Sequence, residues 1–396
     1  MRYKNRGNFG TIVLSLMIIL IFSLTTYFCL DIFQIIEVPE KYSISRWINL
    51  TSEELIAIDA IEKIIPNADD IEESIIVILD SNNLDTYQTS APTLYDVDNG
   101  QKPSAVYSDD KFYYNQLDQY GKIIYDKLHD NKEGLKTGRY TAEFGTTFDN
   151  LLHEDNGSDI LNNAFQLSVN ALTFDNPDIF YIDVTKMYLL TEITTTIFKK
   201  TYKVSVGCNN NVSYLSNEFP TEASVKEAES KIEEIKWRVK HMSDYESVEK
   251  RIRTVHDYMV DMVDYDISVS NPNIYNMYGA LVKNIAVCEG YAKAFKYIMD
   301  DLNIPCIIVC GVAKDKEGRV QNHAWNYVRI DGQWYAIDVT WDDPIIIGNG
   351  IVRKEVKYAY YLRGSDKFFE DHTEDGNIVA DSNFIYPKIS VSDYKY

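Results

Sequence analysis

NHAWNYVRIDGQWYAIDVTWDDP, residues 322–344, is two alternating runs joined by Asp331-Gly332, the strongest short signal for a tight β-hairpin. With a two-residue loop, Ile330 pairs with Gln333. Counting back in that register, His323 stands opposite Thr340 and Asp338 becomes its diagonal neighbour on the same face. One face then carries Ala324, Val328, Ile330, Tyr335, Ile337 and Val339. The other carries His323, Trp325, Tyr327, Arg329, Trp334 and Asp338, a set that suits a cleft covered by another element. An imidazole and a carboxylate so placed are within one hydrogen bond, and the carboxylate fixes the ring's tautomer and orientation. A pair that merely ties two strands together is the bland alternative.

What shifts the balance is YGALVKNIAVCEGYAKAFKYIMDDLNIP, residues 278–305, which predicts a helix opening at Cys288 with an apolar face through Ala294, Ile298 and Leu302. A thiol at a helix start meets unpaired backbone N–H groups and the positive end of the helix dipole, and both favour the thiolate. Alone, Cys288 would be read as a small buried hydrophobe. Together the two segments give a helix-borne thiol, a hairpin-borne base and an orienting carboxylate, the arrangement of covalent thiol catalysis.

The strings AVCEGYAKAF (286–295), NHAWNYVRIDGQWYAIDVTWDDP and, more weakly, YYLRGSDKFFEDH (360–372) resemble the transglutaminase-like superfamily, particularly its short bacterial and cytokinesis-associated branch. The resemblance covers about residues 248–372. It implies an α+β, papain-like core in which a catalytic helix carrying Cys288 packs on an antiparallel sheet carrying His323 and Asp338. The family includes transglutaminases, cysteine peptidases, peptide N-glycanases and members without activity; here all three triad positions are filled. The expected reaction is attack of Cys288 on a peptide or glutamine carboxamide carbonyl, with a thioester intermediate. Candidate oxyanion donors are the Cys288 backbone N–H, Tyr278 and Asn284. Trp325, Trp334, Trp341 and Tyr291 are candidate cleft residues. Asp342 and Asp343 read as a turn before Pro344, and His372 as a loop histidine.

Outside this region, the uncharged residues 7–30 include TIVLSLMIILIFSLTTYFCL, close to the ~20 residues needed to cross hydrocarbon. Arg2, Lys4 and Arg6 precede that run and Asp31, Glu37 and Glu40 follow it. The asymmetry predicts a transmembrane signal anchor through residues 10–30, N-terminus cytoplasmic and the rest extracytoplasmic. No small-residue cleavage site ends the run, which argues against a cleaved signal peptide, and the bulky Phe28 before Cys29 argues against a lipoprotein.

Four segments follow: 1–36, cytoplasmic N-terminus and anchor; 37–110, a helical stalk and polar linker; 111–220, an α+β accessory region; and 221–396, the catalytic domain. The stalk opens on a Thr51/Glu54 capping box before EELIAIDAIEKII. In the accessory region FYYNQLDQYGKIIYDKL and ILNNAFQLSVNALTF have helical periods, whereas IFYIDV, KMYLLTEITTTIF and TYKVSV read as strands.

The chain has 396 residues, 45% of them hydrophobic, enough for more than one core. Its 60 acidic against 39 basic residues give a formal charge of -21, and with no basic stripe a nucleic-acid partner is not expected. The five cysteines lack disulfide-framework or zinc spacing; Cys306 and Cys310 on one strand lie about 13 Å apart at roughly 3.3 Å per residue, too far to bridge. No metal or cofactor motif is present, and the expected partner is a protein or peptide substrate. A surface-anchored module that binds protein or cell wall through a silent triad is the alternative.

Overall fold

The computed structural model describes residues 73–79 and 111–396, apart from 198, 210–211, 245, 267, 269–272, 317, 344–353 and 375–383. The expected membrane segment, the expected helix over 53–65, the polar linker and Cys29 lie outside the described residues. Among the described residues no helix is long and apolar enough to cross a membrane. All of them belong to one unit, Ile71–Tyr396.

The first sheet contains β1 (Glu73–Leu79), β2 (Ala142–Gly145), β3 (Tyr188–Thr195) and β4 (Lys200–Gly207) in the order β1-β3-β4-β2, antiparallel throughout. Residues 73–79, which fall within the span 37–110 read as stalk and linker, thus form a strand. ESIIVIL is short and β-branched, and β3 offers it a full antiparallel register. IFYIDV is a correction: it holds only a single bridge, Ile182 to Leu215, and then the 3-10 turn Val184–Lys186. The helical expectations nearby match α1 (Gln119–His129), whose first turn is capped by Asp118, and α2 (Gly157–Asp175), which buries Leu161, Phe165, Val169 and Leu172.

The region after residue 220 builds the second layer. α3 (Glu222–His241) begins with a Thr221/Ser224 capping box and α4 (Val248–Met262) with Ser247. The two-residue strands β5 (Asp264–Tyr265) and β6 (Ile285–Ala286) pair in parallel and lead into α5 (Cys288–Asp301). The second sheet runs β10-β7-β8-β9, with β7 (Cys306–Lys314), β8 (Val320–Ile330), β9 (Gln333–Ile337) and β10 (His372–Thr373).

α5 packs on one face of this sheet. Buried Asn326 ties the two together by donating to the Ala292 carbonyl at 3.0 Å and the Ile307 carbonyl at 3.3 Å. The opposite face, with Trp325 and Tyr327, is covered by Phe368 and His372. The apolar core is continuous from Phe112 to Ile389. Tyr113 joins the earlier residues to this sheet, its hydroxyl hydrogen-bonding both the carbonyl and the N–H of Ile308 on β7.

The hairpin forms in the expected register, Ile330 opposite Gln333 and Asn326 opposite Ile337. Its turn residues Asp331 (φ 51) and Gly332 (φ 80) both take the left-handed conformation of a two-residue loop. Pairing then stops. Asp338 instead caps the single-turn helix α6 (Val339–Asp342), so His323 faces Gly311 on β7 rather than Thr340. The cap explains the switch, because the Asp338 carboxylate accepts from the Trp341 N–H at 3.1 Å and turns the chain out of the sheet.

Gly311 is a packing requirement at this point: a Cβ there would meet the Thr373 carbonyl at 2.1 Å and the Trp325 ring at 2.3 Å. Gly311→Ala is expected to cost about 1–3 kcal/mol through overpacking. The expected reading is a lower urea midpoint with an unchanged slope.

Candidate active site

Cys288 is the first residue of α5, and Val287 before it supplies no side-chain cap, leaving the first-turn amides around the sulfur without one. The thiol is half-buried and close enough to the His323 side chain to help raise its pKa. His323 Nε2 lies 2.7 Å from Asp338 Oδ2, so Nδ1 is the ring nitrogen left for the sulfur. Both His323 and Asp338 are buried.

Burial alone would lower the His323 pKa. The adjacent Asp338 charge and the hydrogen bonds to Asp338 and Cys288 outweigh it and push the ring up to about 10. Asp338 is driven the other way, well below the carboxylate range, because its charge and hydrogen bonds with His323 and His372 exceed the penalty of burial. The site therefore favours a charged imidazolium beside a charged carboxylate.

His372 departs from the reading as a loop histidine. It is fully buried on β10, with Nε2 3.2 Å from the same Asp338 Oδ2 and Nδ1 2.6 Å from Asp371 Oδ1. Its ring stacks on Phe368 at 4.2 Å and meets Trp341 at 4.6 Å. The Asp-His pair in YYLRGSDKFFEDH was the only sequence signal for it. Ligand atoms of His323, Asp338 and His372 lie within 4.8 Å of one another, the one such set among the described residues, and their contacts are hydrogen bonds shared through one carboxylate oxygen.

Asp342 and Asp343, read as a turn before Pro344, end the single turn α6, and both carboxylates are engaged there. Asp342 is fully buried, accepts from the Tyr360 N–H at 2.7 Å and lies 3.1 Å from His256 Nε2. His256 Nδ1 faces Asp257 at 3.0 Å. Asp343 Oδ2 lies 2.6 Å from the Tyr291 hydroxyl, which also reaches the Val263 carbonyl at 2.9 Å. Burial pushes both aspartates up to about 6.

The structure sorts the cleft candidates. Tyr291 and Trp325 are buried, Tyr291 by the bonds just given and Trp325 beneath Phe368 and His372. Trp334 is buried and its strand bridges to Ile389. None of these three presents a ring to an open groove. Trp341 is half-buried with its ring 5.4 Å from His323, so it alone of the four combines partial exposure with contact to the imidazole.

Of the oxyanion candidates, the Cys288 N–H sits at the helix mouth. The Tyr278 ring is occupied by packing, stacked on Phe180 and edge-on to Phe219. Asn284 is a left-handed helix end (φ 54) whose N–H is spent on the Gly279 carbonyl. Sequence reasoning missed Tyr265, which pairs with Ala286 two residues before the thiol. Burial, followed by the charges of Cys288 and Asp338, pushes its phenol up to about 12.

Residues 236–339 match the family described as the transglutaminase-like superfamily. The kyphoscoliosis peptidase of Mus musculus is 25% identical over 143 residues, and that of Homo sapiens 26% identical over 139, each alignment covering 32% of this chain and 21% of the relative. The chain thus spans about a fifth of the length of these curated relatives. Among solved structures, a TGase is 17% identical with a TM-score of 0.25, covering 38% of this chain and 44% of that one. A provisionally assigned cysteine protease from Cytophaga hutchinsonii is 14% identical with a TM-score of 0.24, covering 40% and 59%.

Proposed function

From the premise that residues 236–339 form a domain of the transglutaminase-like superfamily, we propose that this chain is a thiol acyl-transfer enzyme acting on peptide or glutamine carboxamide bonds. One observation carries the reading: a helix-opening thiol beside an imidazole whose Nε2 is 2.7 Å from a buried carboxylate. The Cys288 sulfur adds to the substrate carbonyl, with developing negative charge received at the helix mouth. His323 then gives its proton to the leaving nitrogen as the C–N bond breaks, and a thioester remains. Water or a second amine attacks the thioester, His323 takes up the incoming proton, and the sulfur is released. Asp338 holds the imidazolium throughout. The hydrophobic run at residues 10–30 supports placing this chemistry outside the membrane, on an extracytoplasmic protein, peptide or cell-wall partner.

Thiol reactivity tests the reading without knowledge of the substrate. Near neutral pH, Cys288 is expected to be alkylated faster than Cys208, which is equally half-buried, and faster than Cys306, whose thiol burial pushes up. Equal rates for Cys288 and Cys208 would leave only a binding module. Incubation with glutamine peptides, with and without a primary amine, then separates the acceptors. Amine incorporation abolished by prior alkylation selects crosslinking, and cleaved peptide alone selects proteolysis.

A further inference from the structure

We propose that His372 is a positively charged positioning residue that shares the Asp338 oxygen with His323 and thereby limits how tightly Asp338 holds the catalytic imidazolium. The inference rests on the thiol acyl-transfer reading.

A neutral imidazole has one N–H, and an ionised carboxylate has none. Yet both His372 nitrogens face carboxylate oxygens, Asp371 Oδ1 at 2.6 Å and Asp338 Oδ2 at 3.2 Å. The row Asp371–His372–Asp338 therefore holds one proton beyond a neutral ring and two carboxylates. Asp371 also accepts the Tyr360 hydroxyl on Oδ2 at 2.7 Å, so both of its oxygens are engaged.

His323, Trp325, Asp338 and Trp341 face the ring from the hairpin and α6, and Tyr360 and Phe368 from the covering segment. Along its own chain stand Asp371 and Glu374, and Glu374 accepts the Tyr327 hydroxyl at 2.6 Å.

The two histidine rings are 5.6 Å apart and donate to one oxygen. Positive charge on His372 opposes positive charge on His323 and divides the attraction of Asp338. Without it, His323 would hold its proton to a higher pH, by about two pH units for a unit charge at that separation and an effective dielectric of about 20. The imidazolium is thus kept acidic enough to release its proton to a leaving amine.

The test uses the full chain and iodoacetate, an anionic reagent whose attack on Cys288 slows when the neighbouring imidazolium loses its proton. In the native chain that fall is expected near pH 10, from the His323 value. His372→Gln keeps a neutral donor and His372→Phe keeps only the stacking; both are expected to move the fall upward by about a unit or more. An unmoved fall in both folded variants would make His372 a packing residue and overturn the proposal. Should neither variant fold, 15N histidine spectra of the native chain at neutral pH decide: two protonated nitrogens on His372 support it, and a single neutral tautomer overturns it. If the native chain shows no imidazolium-dependent labelling at all, the acyl-transfer reading fails, whatever the His372 spectrum shows.

Discussion

Asp338→Asn is expected to lower kcat/KM by about 10,000-fold on whichever amide substrate the chain accepts, the size of effect seen when a triad carboxylate becomes an amide. Asp338 receives three donors, His323 and His372 on Oδ2 and the Trp341 N–H on Oδ1. An asparagine can keep the Trp341 bond with its carbonyl oxygen. Its NH2 then points at two ring nitrogens that must also donate, so His323 either flips tautomer or gives up its proton. In both cases the imidazolium beside the sulfur is lost. Iodoacetamide labelling of Cys288 at pH 6–7 should fall to the rate of Cys208, a readout that needs no substrate. Because the Trp341 cap survives, thermal stability should fall much less than activity; a variant that is folded and retains full labelling would remove Asp338 from the proposed triad.

The parts legible in sequence were those whose signals are local. Asp331-Gly332 fixed the register from Asn326 to Ile337, and the periodicity after Cys288 set a helix whose start is the thiol itself. Where the strand gives way to α6 was not legible, since alternation continues through Asp338 and Thr340 and only the carboxylate's choice of the Trp341 N–H ends it. His372 and His256 were legible only in part. Each has an aspartate beside it in sequence, Asp371 and Asp257, but its buried partner is 34 or 86 residues away. Trp325 and Trp334 are buried, since an aromatic-rich sheet face can be covered as well as open. Here Phe368 and His372 close over Trp325.

His256→Leu is expected to cost about 3–5 kcal/mol of stability at pH 7.5, the penalty for removing one partner of a buried pair. His256 and Asp342 are both fully buried and 3.1 Å apart. Asp342 closes the turn that Asp338 opens, its N–H donating to the Asp338 carbonyl at 3.1 Å, so the pair anchors the end of the segment that aims the carboxylate at His323. The sign with pH follows from the folded values. Asp342 is raised from 3.8 to about 6 by burial, so its contribution is complete below about pH 4 and is lost as pH rises through about 6. For His256 burial acts downward, but the bonds to Asp257 and Asp342 raise it, so its contribution is complete below its ordinary 6.5 and is lost as pH climbs through the higher folded value. Leucine removes the cation, leaving Asp342 still more averse to ionising. The deleted His256 contribution is largest at pH 5, whereas the uncompensated Asp342 charge costs most at pH 7.5, so the deficit should differ between the two pH values. Urea unfolding at the two pH values measures this directly. A deficit that is equal at both would mean that His256 acts by filling space rather than through charge.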